Sequence, residues 1–151
     1  MSFKNKKPLA KIQLSWYDDS TLLEEDSFKL VRLFLKSLGI NARVPAEILE
    51  VLLLFGDEYL TTKRIKEKIL ELRKKRYGRA NRKGLTERNL QKWLKQFIEL
   101  ELIERYRGRY RFKNDKSLSY AFEKYTLELL NNAIEYNKKL IAEIEKRYEK
   151  W

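Results

Sequence analysis

The sequence predicts a mainly α-helical fold with one small β-hairpin, a helix ahead of it and a long helix behind it. Three observations carry this reading. Leu90, Trp93, Leu94 and Phe97 recur at helical spacing and form one apolar stripe. From Ile103 to Phe112 the pattern changes period around Arg107-Gly108, a pair suited to a two-residue turn. From residue 118 onward, apolar and aromatic residues recur every three or four positions: Leu118, Phe122, Tyr125, Leu129, Ala133, Tyr136, Leu140, Ile144, Tyr148 and Trp151.

In chain order, residues 1–9 are basic and include Pro8, which discourages helix, so a loose arm is expected. Residues 10–17 alternate, with Ile12, Leu14 and Trp16 on one side and Lys11, Gln13 and Ser15 on the other. That pattern predicts a strand, or an extended segment lying over a groove between helices. A helical stretch follows over 20–38. Leu23, Leu30, Val31, Phe34, Leu35 and Leu38 mark its buried side, and Gly39-Ile40 stops it. The acidic run Glu24-Glu25-Asp26 either lies near the helix start, where carboxylates are favoured, or splits the stretch so that Asp26 or Ser27 caps a shorter helix. Pro45–Phe55 reads as a helix stopped by Gly56. It is apolar nearly all round, which predicts the central helix. Thr61 then caps a helix over 61–75, with Ile65, Ile69 and Leu72 inward.

The segment 73–84 holds seven Lys or Arg among twelve residues, and Gly78, Asn81 and Gly84 break its helical pattern. Either the preceding helix is long or a basic loop follows it. Thr86 is expected to cap the next helix. Opposite that helix's apolar stripe lie Arg88, Lys92, Lys95 and Gln96, flanked by Asn89 and Gln91. In the hairpin, the turn sets Ile103 opposite Phe112, Glu104 opposite Arg111, Arg105 opposite Tyr110 and Tyr106 opposite Arg109. Ile103, Tyr110 and Phe112 then face a core, while Arg105, Arg107, Arg109 and Arg111 carry the tip. The terminal stripe has a mean period of about 3.67 residues, which predicts one long, nearly straight helix of roughly 50 Å. A small domain cannot cover such a stripe. Part of it is expected to pack on another chain, the competing arrangement being a fold back along 20–38. The division expected is 1–40 as an arm and packing helix, 41–113 as a central domain and 114–151 as a dimerisation helix.

The order of elements over 45–113 resembles that of winged helix-turn-helix proteins, and the resemblance implies that Tyr59-Leu60 is the short first strand. LTTKRIKE at 60–67 is similar to the LTTKEIAE that opens the second helix in regulators of the MarR and PadR kinds, and small archaeal winged-helix dimers also append dimerising helices. The long 73–84 segment departs from the tight turn usual between the second and third helices. The resemblance implies a homodimer bound to double-stranded DNA. Arg88, Asn89, Gln91, Lys92, Lys95 and Gln96 would face the major groove, where Arg, Asn and Gln bond base edges bidentately. Arg105, Arg107, Arg109 and Arg111 would reach the backbone or adjacent minor groove. Thr61, Lys63 and Arg64 would contact phosphate. Arg79, Arg82 and Lys83, from the basic segment just before the third helix, would track phosphates as well.

Charge placement points the same way without the resemblance. The chain carries a net charge of +12, and residues 62–113 hold 19 Lys/Arg against 6 Asp/Glu. The whole excess therefore lies in one half, as a polyanion partner would require. The competing reading is a solvated basic surface on a thermophile protein, for which abundant Lys and Glu is a compositional hint. With no Cys and no His, disulfides, thiolate metal sites and His-based catalysis are excluded. No cofactor, metal or catalytic residue is expected, so the chain does not read as an enzyme. No run reaches membrane-spanning length, and the first residues do not form a signal peptide, so no membrane partner and a cytoplasmic location are expected. The expected function is sequence-specific DNA binding by a homodimeric transcription regulator. Two alternatives stand beside it: a plasmid or viral replication initiator or a non-specific chromatin protein, and a protein-interaction scaffold.

Overall fold

The computed structural model describes residues 6–149. The chain is mainly α-helical with one two-stranded antiparallel hairpin. Its elements are α1 (Ser27–Ser37), α2 (Arg43–Phe55), α3 (Thr62–Tyr77), α4 (Glu87–Glu99), β1 (Ile103–Tyr106), β2 (Arg109–Phe112), α5 (Leu118–Ala121) and α6 (Leu127–Tyr148).

Of the two forms expected over 10–17, the strand is absent. Those residues have no regular secondary structure, and the Ser15 amide donates to the Ser37 carbonyl at 2.8 Å. Of the alternating side chains only Ile12 packs on the core, while Trp16 is 91% exposed. A strand needs a neighbouring strand along its length, and here the neighbour is the end of a helix, which offers one carbonyl. The stretch 20–38 is split at its acidic run, the second of the two arrangements expected. Residues Asp19–Leu23 form a 3₁₀ turn, and Asp26 caps α1 by accepting from the Phe28 and Lys29 amides at 2.9 and 3.4 Å. Leu23 stays exposed, and Leu30, Val31 and Phe34 are only partly buried. Gly39 ends α1 at φ 81°, and the Ile40 amide closes back on the Leu35 carbonyl at 2.9 Å, which places Ile40 in the core.

Helix α2 begins two residues before the expected Pro45, which then sits in the first turn, where a missing N–H costs no hydrogen bond. Val44 through Leu52 are all buried. The helix packs against α1, α3 and α4 at once, so it is the centre of the fold, as its composition predicts. Its last turn is the exception, since Leu53 and Leu54 are exposed. Tyr59-Leu60 does not form a strand. The Leu60 carbonyl accepts a single backbone hydrogen bond from the Tyr110 amide at 2.8 Å, and the Tyr59 hydroxyl donates to the Arg107 carbonyl. The chain turns into α3 at Thr61, too soon for a ladder.

The hairpin has the expected register throughout. Arg107 and Gly108 both adopt positive φ, 52° and 81°, which matches the twist of the flanking strands. Ile103, Tyr110 and Phe112 are buried.

The C-terminal part is helical from Leu118 to Tyr148, but not as one uniform helix. A π turn, Phe122–Thr126, separates α5 from α6. The Thr126 hydroxyl, buried, donates to the Leu100 carbonyl at 2.8 Å, and the Phe122 ring meets the Phe34 ring edge-on at 6.1 Å. Ala121 and Thr126 are the residues most deeply covered here, and neither lies on the apolar stripe read from sequence. Beyond Ala133 every described residue is exposed, Ile134, Leu140, Ile141 and Ile144 among them. Trp151 lies outside the described residues. No helix among the described residues is long and apolar enough to cross a membrane.

Candidate nucleic-acid interface

The position of α4 follows from its two faces. Thr86 caps it by accepting from the Asn89 amide at 3.2 Å. Leu90, Leu94 and Phe97 are buried on that face, and truncating a residue placed like Phe97 costs about 3–5 kcal/mol. The opposite face presents Arg88, Gln91, Lys92 and Lys95 to solvent, with Gln96 half-buried.

Two residues of this helix differ from expectation. Trp93 is half-buried rather than enclosed. It sits at the border of the apolar stripe, and the Lys92 ammonium lies 4.7 Å from its ring centre. Asn89 is half-buried and is not a free base-reading group. Its side-chain amide donates to the Gly84 carbonyl at 2.7 Å. Gly84 itself has φ 80°, and a Cβ there would come within 2.9 Å of Val44. The turn into α4 is therefore pressed onto α2 and clasped by Asn89. Gln91 donates to the Glu87 carboxylate at 3.2 Å, an exposed contact that a competing acceptor can replace.

The basic segment divides in two, because α3 continues to Tyr77 and ends at Gly78, φ 80°. Arg73 points inward and is 6% exposed. Its Nε and Nη2 each donate to Glu47 at 2.7 Å, and its Nη1 donates to the Asn81 and Lys83 carbonyls at 2.7 and 2.9 Å. Arg76 donates to Glu50 at 2.8 and 3.3 Å, with its guanidinium 4.6 Å from the Phe28 ring centre. Both arginines are held above their ordinary pKa, Arg73 chiefly by its hydrogen bonds with Glu47 and Arg76 chiefly by those with Glu50. They are structural, which corrects the expectation of phosphate contact across 73–84. Arg79, Arg82 and Lys83 are exposed, and none has an acidic partner among the described residues. The sequence did carry a signal for the pairing. Glu47 and Glu50 are two carboxylates inside an otherwise apolar helix, and buried carboxylates need cations.

The hairpin tip is thinned in the same way. Arg111 is paired with Glu104 at 2.7 Å and stacked 4.0 Å from the Tyr106 ring centre. Arg109 reaches Asp115 at 3.5 Å. Arg105 and Arg107 remain exposed without an acidic partner among the described residues, each resting near a tyrosine ring. At the start of α3, the Thr61 hydroxyl is engaged as the helix cap, accepting from the Arg64 amide at 3.2 Å. Arg64 is bound to Glu67 at 3.0 Å and Glu58 at 3.2 Å, which hold its pKa above the ordinary value. Of the three candidates there, only Lys63 is exposed and unpaired. No protein-family model, curated protein or solved structure matches the chain. Among the described residues, no cluster of three or more acidic groups is placed to hold a metal ion.

Proposed function

We propose that the chain is a homodimeric double-stranded DNA-binding protein with the arrangement of a winged helix-turn-helix. In this reading α2, α3 and α4 are the three helices and β1–β2 the wing. The observation that carries it is a run of cations without acidic partners on three consecutive elements. Among the described residues, Arg79, Arg82 and Lys83 lie on the loop before α4, Arg88, Lys92 and Lys95 on its exposed face, and Arg105 and Arg107 on the hairpin after it. Cations that satisfy internal carboxylates have no charge to spare for phosphate; these eight do. If all eight displaced counterions, log affinity would fall with log salt at a slope of roughly −7 per protomer.

The exposed apolar residues of α6 support the dimer. Ile134, Leu140, Ile141 and Ile144 are each between 43% and 54% exposed in the single chain. A contiguous face of that kind is covered in most soluble proteins. Light scattering of the full chain, and of a Leu140→Asp, Ile144→Asp double variant, tests this. A monomeric parent at micromolar concentration rejects the dimer.

A second reading is favoured by one observation. With Asn89 clasped to Gly84, α4 presents mostly cations, which grip phosphate more than they read bases. That favours a DNA-binding protein with little sequence preference, such as a replication or chromatin component. Selection of bound duplexes from a random pool at two salt concentrations separates the two. A regulator should yield an enriched sequence bound at least about 10³-fold more tightly than random DNA. An architectural protein yields none. Absence of any duplex binding rejects both.

A further inference from the structure

A groove of about 710 Å³ runs beside α4. Its lining includes Arg43 from the start of α2, Tyr77 at the end of α3, Arg79 and Lys83 from the connecting loop, and Asn89 and Trp93 from α4. The volume falls within the roughly 300–1,000 Å³ typical of small-ligand sites.

The lining has two chemical parts. One is aromatic. Trp93 is half-buried, so part of its surface is left open, and the Tyr77 ring is exposed. The other part is cationic. Arg79 and Lys83 are exposed and have no acidic partner, unlike Arg73 deeper in the lining, whose three nitrogens are all spent on Glu47 and on loop carbonyls. Arg43 lies 4.7 Å from the Tyr77 ring centre and hydrogen-bonds the Tyr77 hydroxyl, and its buried Nε makes no hydrogen bond but is ion-paired with Glu47 at 3.7 Å, so Arg43 is not a free cation of the groove. The loop is held in place from beneath. Arg73 binds the Asn81 and Lys83 carbonyls, and the Asn81 side chain accepts from the Lys83 amide at 2.7 Å. Lys83 is thus fixed at its backbone and free at its end, and Arg79 lies two residues before the anchored Asn81.

We propose that this groove binds a nucleotide, with its base stacked on Trp93 or Tyr77 and its phosphate held by Arg79 and Lys83. Two free cations suit a doubly charged phosphate, to which hydrogen bonds are charge-assisted. Aromatic surface beside a cationic edge is the combination that holds an unpaired base together with its phosphate. Inside a duplex the base faces are already stacked on one another, so stacking in the groove calls for an unpaired base, while Arg79 and Lys83 are shared with the duplex-phosphate reading above. The ligand has two possible sources, a free mononucleotide or an unpaired nucleotide at a DNA end. Because Asn89 and Trp93 belong to α4, either occupant would bear directly on the helix assigned to DNA.

Trp93 is its own reporter. In the full chain carrying Trp16→Phe and Trp151→Phe, its fluorescence is followed during titration with adenosine monophosphate, adenosine or inorganic phosphate. Two duplexes are then compared: one blunt, and one ending in a single unpaired, 5′-phosphorylated adenosine. The monophosphate should quench Trp93 saturably and bind at least about tenfold more tightly than adenosine or phosphate alone. The Arg79→Ala, Lys83→Ala double variant, altered only at exposed positions, should weaken the monophosphate by about tenfold and leave adenosine unchanged. If the overhang duplex quenches more than the blunt one, the source is a DNA end; if only the monophosphate quenches, it is the free nucleotide. The proposal is overturned if neither quenches saturably at millimolar concentration, if phosphate alone matches the monophosphate, or if the double variant binds the monophosphate like the parent. Blunt-duplex affinity, read separately from the anisotropy of a labelled duplex, decides the DNA-binding function independently of these results.

Discussion

Helices α3 and α4 lie side by side and are both basic, yet α3 spends half of its cations within the fold and α4 spends none on a carboxylate. Of the eight Lys and Arg in α3, four are tied to carboxylates: Arg64, Lys68, Arg73 and Arg76. The three in α4, Arg88, Lys92 and Lys95, have no acidic partner among the described residues. By charge count α3 is the stronger candidate for a polyanion partner. By availability that lead is gone: among the described residues α3 keeps four unpaired lysines, Lys63, Lys66, Lys74 and Lys75, against three cations on α4 and three more on the loop that leads into it. Charge that answers an internal carboxylate is part of the fold, and only the remainder can act on a partner.

The sharpest way to break this comparison is to remove an acid from α2. Glu47→Ala leaves Arg73 buried and unpaired, and should cost about 3–5 kcal/mol of stability in chemical denaturation. A loss below about 1 kcal/mol would mean that Arg73 is not a structural cation, and the contrast between the helices would fail. The sign of the pH dependence is fixed as well. The folded-state pKa of Arg73 is raised, so the stability it contributes is present below the ordinary arginine range and is lost only as pH rises beyond it. The arginine side of this pair should therefore add no pH dependence near neutrality.

Asn89→Ala comes next. Loss of the donor to the Gly84 carbonyl should cost about 1–2 kcal/mol of stability and leave the ranking of DNA sequences unchanged. A changed ranking would return Asn89 to base reading. Within the hairpin, Arg111→Ala should cost up to about 1 kcal/mol, because it frees Glu104 and uncovers Tyr106, with little effect on the salt slope. Arg107→Ala should do the reverse, flattening the salt slope by about 0.9 with stability unchanged. The smallest stability effects belong to α4. Arg88→Ala and Lys95→Ala should each stay within about 0.5 kcal/mol of the parent by denaturation. If either bonds a base edge, DNA affinity falls by about 1–3 kcal/mol on the preferred duplex alone. If both only touch phosphate, it falls on every duplex alike.

Much of the fold was determined by local sequence. The caps at Thr61 and Thr86, the full hairpin register and the burial of α2 all follow from interactions between near neighbours or from the period of apolar residues, which one chain segment carries by itself. Tertiary structure decided the rest. Whether 10–17 and Tyr59-Leu60 become strands depends on a partner edge: 10–17 meets only the end of α1, and Leu60 meets β2 through one hydrogen bond before the chain turns into α3. The π turn at Phe122–Thr126 coincides with the contacts of Thr126 to Leu100 and Phe122 to Phe34, two distant parts of the chain that helical periodicity cannot see. The candidate interface shows the same division. Its residue types were legible, because α4 segregates polar from apolar side chains within its own turns. Which of its cations are free was not, since Arg73, Arg76 and Arg111 meet Glu47, Glu50 and Glu104 across separate elements. A cation's availability is set by the nearest carboxylate in space, and only the folded chain fixes that distance.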